Sequence, residues 1–494
     1  MAYYSQPGFT PPPAPQPLPR YPVGKRELVT GLFLLIFGLL MTNSILYGGF
    51  NLGFSVSGIG ILVTVCLYLY ACEKRMNGYV TGLFSLSLAI LAGFSRSDDG
   101  FVKFVMICFL FVGICLFVVL TAGQNRRDPK GFSSLADAFR GFFMLGFGGF
   151  GSSFRGLGHC LKNSSSAGKK SLSVLLGLAF AVPLLLILIP LLMRADAAFE
   201  GIIDKLPDIR LDEILSTLIL GGIMSCLLFS WAVSHIYAPA KESKKASGKG
   251  LSSLTVNTVL IAVALVYCVY LVSQLAYFSG GFLGLLPEGY STAEYARRGF
   301  FEMAWLCAIN LTVMVLAAGL VKKAPGAPLS TRLLCLAVGL VTLFLVVTAS
   351  AKMGFYIRSY GLTRLRVLTE VIMVFLGLTT AIISVWLFAP KLAYMKAILL
   401  TGLAIGALVI WADVDTVVAR YNVGAYRNGQ LESVDAYYLS DLGDGAVPYL
   451  AQLMEDSDPA LARLSAALLD TGRVSDTDIR GWNWCDHVAQ EYYK

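Results

Sequence analysis

Residues 360–378 read "YGLTRLRVLTEVIMVFLGL", with Arg364, Arg366 and Glu370 at the head of an unbroken apolar run. Continued to Ala389, the run is long enough to cross a bilayer as a helix, which takes about 20 apolar residues. Thr363 stands where an N-cap belongs. Arg366 and Glu370 are four apart and share one helix face. Charge this close to hydrocarbon is costly, up to roughly 2.5–3.5 kcal/mol at a helix centre, so these groups call for partners.

The rest of the chain repeats the apolar pattern. It has 494 residues, 56% hydrophobic and 14% charged, with mean hydropathy +0.68. Ordinary soluble domains carry about 25% charged residues. Apolar stretches fall near 28–47, 53–72, 79–95, 101–123, 171–193, 213–237, 252–277, 299–321, 332–354, 367–389 and 395–411; the third and the last are short. The expected fold is an all-α integral membrane protein with about eleven transmembrane helices. Pro183 and Pro190 should kink the fifth.

Basic residues set the expected orientation. With the N-terminus inside, 22 of the 33 lysines and arginines before position 412 fall on the inner side, and most acidic residues fall outside. This puts the N-terminus on the inner side of the membrane and the C-terminus outside. Three domains are expected. Residues 1–26 form a proline-rich cytoplasmic tail without signal-peptide features. Residues 27–411 form the membrane domain. Residues 412–494 form a small, acidic, helical extracytoplasmic domain, with 14 acidic and 6 basic side chains, in which Asp458-Pro459 marks a helix start. Within the membrane domain, residues 132–161 carry a phenylalanine stripe (Phe132, Phe139, Phe142, Phe143 and onward), which predicts an amphipathic segment in the inner headgroup layer; a re-entrant hairpin is the alternative.

The opening pattern recurs in "GYSTAEYARRGFFEMAWLCAINLTV" (289–313). Ser291 and Glu294 have capping-box spacing, which starts that helix near Ser291. Arg298 and Glu302 repeat the Arg-x-x-x-Glu spacing. Two readings stay open: the pairs cross-link two helices, or Arg298, Glu302, Arg366, Glu370 and Asn310 line an outward-facing site for a small anionic or lipid ligand. Arg297, Arg358 and Arg364 are free to reach the surface. Asn257 and Gln274 read as helix-to-helix glue.

No catalytic motif is present. HExxH, G-x-S-x-G and a Walker lysine are missing, and "GFGGFGSSF" lacks a strand and a lysine. The ten cysteines have no CxxC spacing, and Cys485 and His487 lack further metal-ligand partners. No cofactor, metal or nucleic acid is expected.

Several segments taken together, "RADAAFEGII", "EYARRGFFEMAWLCAINL", "SYGLTRLRVLTE", "DVDTVVARYNV", "VDAYYLSDLGDGAVPYL" and the terminal "GWNW", resemble a bacterial membrane family, domain of unknown function 4173, which has a relative numbered 4153. The resemblance implies a polytopic membrane protein and supplies no reaction. The expected function is therefore non-enzymatic: a transporter or a solute- or lipid-binding protein of the bilayer, or a sensory or scaffold protein whose C-terminal domain meets a cell-envelope partner.

Overall fold

The computed structural model describes residues 24–125, 133–143, 184, 188, 191–195, 211–237, 250–282, 300–321, 327–470 and 478–493. Every regular element among them is helical, and one β-bridge joins Leu251 to Val321. The membrane helices are α1 (Lys25–Tyr47), α2 (Leu52–Ala71), α3 (Gly78–Gly93), α4 (Gly100–Ala122), α6 (Leu211–Tyr237), α7 (Ser253–Phe282), α8 (Phe300–Leu320), α9 (Leu329–Tyr360), α10 (Arg364–Phe388) and α11 (Tyr394–Ala412), with the short α5 (Ser133–Arg140) after α4. Nine of these described helices are long and apolar enough to span a bilayer, while the 16-residue α3 is shorter. The expected span at 171–193 lies mostly outside the described residues, as do its two prolines, the N-terminal tail, the helix start at Ser291, Arg297, Arg298 and the Gln274 side chain.

Local chemistry explains the helix ends. Asn77 caps α3 by accepting from the Val80 amide at 3.0 Å. Asp99 caps α4, accepting from the amides of Phe101 at 2.8 Å and Val102 at 3.0 Å. Thr363 caps α10 as expected, accepting from the Arg366 amide. Gly361, at φ +72°, makes the tight turn between α9 and α10, a conformation only glycine adopts freely.

The helices pack as two groups. In the first, α1 lies between α2 and α6, and α3 lies against α4 and α11. Its core includes Leu34, Leu62, Leu83, Leu116 and Ile410. In the second, α7, α8 and α10 surround α9 around Leu260, Met314, Val338 and Ile383. Helix α10 also packs on α11, joining the two.

After α11 the chain turns sharply at Asp413, whose φ is +53°. The cap beyond this turn comprises α12 (Val414–Arg427), α13 (Ala436–Asp441), α14 (Val447–Gln452), α15 (Pro459–Asp470) and α16 (Trp484–Ala489). Asp458 starts α15 by accepting from the Ala460 amide at 2.9 Å, which is the cap-and-proline start expected from the sequence. Val418, Leu439 and Leu450 of the cap belong to the same apolar cluster as Leu62 and Leu116 of the bundle. One core therefore runs from the membrane helices into the cap. The N-terminal end of α1 lies at the opposite end of the bundle: Arg26 bonds the Ala71 carbonyl there, while Arg480 next to the cap bonds Asn43.

The described part of the aromatic segment docks on α4. Phe111 packs on Phe139 at 5.8 Å and on Phe142 at 4.7 Å between ring centroids. Phe139 and Phe143 are exposed, whereas Ala138 is buried. The remainder, 144–161, lies outside the described residues.

Candidate functional site: a charged lock at the cap and an apolar cavity below it

The charges of the opening stretch are consumed in assembly. Arg364 is held by two carboxylates while staying partly exposed. Its Nε lies 2.6 Å from Asp415 Oδ1 and 3.0 Å from Asp99 Oδ2. The two carboxylates are buried, with 1% and 2% side-chain exposure, while the arginine keeps 37%. Asp99 belongs to the start of α4, Arg364 to α10 and Asp415 to α12, so one guanidinium ties two membrane helices to the cap. Asn422 of α12 completes the attachment, accepting from the Leu362 amide at 2.6 Å and donating to the Leu362 carbonyl at 2.9 Å.

A strap before and through α16 closes the same end. The amides of Leu52 and Gly53 donate to the carbonyls of Trp482 and Arg480, and the Trp484 amide donates to the Ser95 carbonyl. Asn483 donates to the Ser97 carbonyl at 2.7 Å. Arg480 donates to Asn43 Oδ1 at 2.8 Å and Glu213 Oε2 at 3.1 Å. Lys103 donates to Asn51 Oδ1 at 2.6 Å. Cys485 Sγ sits 3.1 Å from the Arg96 carbonyl and 3.3 Å from Asp413 Oδ2. Burial, and then the adjacent Asp413 carboxylate, push this thiol's pKa up, so it stays protonated and unreactive. Burial raises the Asp415 carboxyl to about 6 even though Arg364 opposes the shift. Burial likewise raises Asp444, against the hydrogen bond it accepts from Tyr493 at 2.7 Å.

Of the other expected site residues, Arg298 lies outside the described residues, and Arg366, Glu370 and Asn310 each have their own partners. Arg366 does not pair with Glu370. Its Nη1 donates to the carbonyls of Tyr360, at 3.1 Å, and Gly361, and its guanidinium lies 4.0 Å from the Tyr356 ring centroid. The C-terminus of α9 leaves carbonyls unpaired and carries partial negative charge, and the three-residue turn brings Arg366 within reach. Glu370 instead reaches Ser350 on α9, with Oε1 buried and unbonded. Glu302 is exposed on α8. Helices α8, α9 and α10 meet through Met303, Cys307, Met353 and Met373. Asn310 is buried among three helices, accepting from Tyr267 at 2.7 Å and donating to Thr342 at 3.0 Å. Asn257 bridges α7 and α9 through Ser330 and Thr331. Among the described residues these contacts knit helices together.

The bundle does hold a cavity elsewhere. A space of about 430 Å³ lies between α1, α2, α4 and α6, bounded by Met41, Phe54, Ile61, Leu110, Leu228 and Trp231, with Phe142 among its lining residues. Its walls are apolar almost throughout, and its volume falls in the usual range for small-ligand sites, about 300–1,000 Å³. At the end remote from the cap, Glu27 is buried and accepts from Tyr237 at 2.9 Å and Tyr68 at 3.5 Å. That bond set ties α1, α2 and α6 together below the cavity.

Sequence reasoning missed Asp99, Asp415 and Glu27. The signal for Asp99 is the "SDDG" ahead of an apolar run, an N-cap that happens to be a charge as well. No group of three His, Cys, Asp or Glu side chains among the described residues is arranged to hold a metal ion.

No curated protein and no solved structure matches the chain. Residues 78–453 match a family described as Domain of unknown function (DUF4153). The expected relation to family 4173 is not shown; the matching family is the relative named beside it. The match covers Asp99, Arg364 and Asp415 but neither α1 and α2 nor the strap, and since it spans well over half of the sequence, this all-helical multi-pass chain belongs to the DUF4153 family.

Proposed function

We propose that the protein is a non-enzymatic lipid- or solute-binding protein of the bacterial cytoplasmic membrane that takes an acyl chain or similarly apolar ligand into the cavity between α1, α2, α4 and α6. The observation that carries this reading is the cavity: about 430 Å³ with apolar walls inside a bundle whose cap end is locked. An anion site at Arg298, Glu302, Arg366 and Glu370 has less support, because Arg366 is engaged by the end of α9 and Glu302 is exposed. The N-terminus is assigned to the inside and the cap to the outside from the lysine and arginine distribution.

A second reading, a scaffold whose cap binds an envelope protein, draws on the exposed Tyr437 and Ile479 of the cap region. Photolabelling separates the two. The purified protein is irradiated with a long-chain alkyl diazirine, and the labelled peptides are identified. The cavity reading expects labels on α2, α4 and α6 near Ile61, Leu110 and Leu228, lost in Leu228→Trp, which fills the space. Labelling confined to the lipid-facing surface and unchanged by Leu228→Trp would overturn it and turn attention to the cap.

A further inference from the structure

Helices α1 and α2 form a second recess, on the face of α2 opposite to the cavity. It has a volume of about 590 Å³. Its walls are Val29, Phe33, Phe37, Val63 and Leu67, and Lys25 and Arg26 stand at its end remote from the cap. Gly60 forms part of the floor, and a Cβ there would collide with the Phe37 ring, so the glycine lets that ring pack closely on α2. Phe33 and Leu67 are exposed, and a membrane-spanning pair of helices directs such residues to lipid tails. The run from Lys25 to Phe37 rises about 18 Å at 1.5 Å per residue. That is close to the depth of one leaflet's hydrocarbon, about 15 Å.

Basic groups outnumber exposed acidic ones at the mouth. Lys25 and Arg26 begin α1, and Lys74 and Arg75 follow the end of α2. Arg26 spends one donor on the Ala71 carbonyl at 2.9 Å and is otherwise exposed. Arg75 lies 5.9 Å over the Tyr70 ring. Of the nearby acids, Glu27 is buried and bound by Tyr68 and Tyr237, and Glu73 is exposed.

We propose that this recess is a binding site for an anionic phospholipid of the adjoining leaflet, with its phosphate at Lys25 and Arg26 and one acyl chain along Val29, Phe33, Phe37 and Leu67. The site uses none of the cavity's lining, so either can fail alone.

Native mass spectrometry of the delipidated full chain in detergent tests it, titrating phosphatidylglycerol, phosphatidylcholine and inorganic phosphate. The expected preference for phosphatidylglycerol over phosphatidylcholine is roughly thirtyfold, about fivefold for each of two cations at the surface. Lys25→Ala/Arg26→Ala removes the preference. Leu67→Trp, which fills the groove and keeps the charges, removes tight binding. Melting points of both variants in lipid-free detergent within a few degrees of the parent establish that they fold. Equal binding of the two lipids, an unchanged double variant, a preference that survives Leu67→Trp, or displacement by inorganic phosphate would each overturn the site.

Discussion

Replacing Arg364 by glutamine removes the one cation shared by Asp99 and Asp415. Both carboxylates are buried, so neither recovers its hydration unless the cap lifts. Breaking a buried ion pair by removing one partner costs about 3–5 kcal/mol. Arg364 itself is 37% exposed, and solvent screening places the loss at the low end, about 3 kcal/mol. At about 1.4 kcal/mol per factor of ten, that raises the population with an undocked cap roughly a hundredfold. Cys485 reports the opening, because its thiol is buried between Arg96 and Asp413. The assay is the rate of Cys485 alkylation at about pH 7.5, where an exposed thiol begins to ionise, read by peptide mass spectrometry. Arg364→Gln should accelerate it roughly a hundredfold. The triple variant Arg364→Gln/Asp99→Asn/Asp415→Asn should recover most of the protection, since it leaves no uncompensated charge and asparagine still caps α4. Alkylation in Arg364→Gln within about twofold of the parent would refute the lock.

The remaining predictions concern pH and the residues singled out in the sequence. The folded pKa of Asp415, about 6, lies above its unfolded value of about 3.9, and that of Asp444 is also raised. The folded cap therefore holds protons the unfolded chain has released, and its stability falls as pH rises from about 4 through 6; melting followed by tryptophan emission should be higher at about pH 5.5 than at about pH 7.5. Asn310→Ala removes interhelical bonds to Tyr267 and Thr342, each worth about 0.6 and at most about 1.7 kcal/mol in a membrane, and should lower the melting point without altering Cys485 protection. Glu302→Gln, at an exposed position, should change stability by less than about 0.5 kcal/mol. Gly48→Ala should loosen the strap, because its Cβ would fall 2.8 Å from the Arg480 carbonyl carbon; faster alkylation of Cys485 reads this out.

The spans were legible because each is a contiguous apolar run of fixed minimum length, a local property. Thr363 and Asp458 were legible for the same reason, since an N-cap acts within its own turn. The ion pairs were not. Spacing of four residues put Arg366 beside Glu370, but the competing acceptors at Tyr360 and Gly361 are brought near only by the turn at Gly361. Arg364 meets Asp99 and Asp415 across three helices, and nothing local to any of them marks the others. Asn310 was read as part of a ligand site, and its partners Tyr267 and Thr342 lie on other helices, where nothing local to Asn310 marks them. The cavity leaves no local mark either, since its walls come from α1, α2, α4 and α6 and each wall residue looks like ordinary membrane core.

The central claim is that the space between α1, α2, α4 and α6 holds an apolar chain. A density map of the protein extracted directly into native-lipid nanodiscs tests it most directly. Elongated non-protein density beside Ile61, Leu110, Leu228 and Trp231 is the predicted result. A well-ordered map in which side chains close that space, leaving no room for a chain, would contradict it.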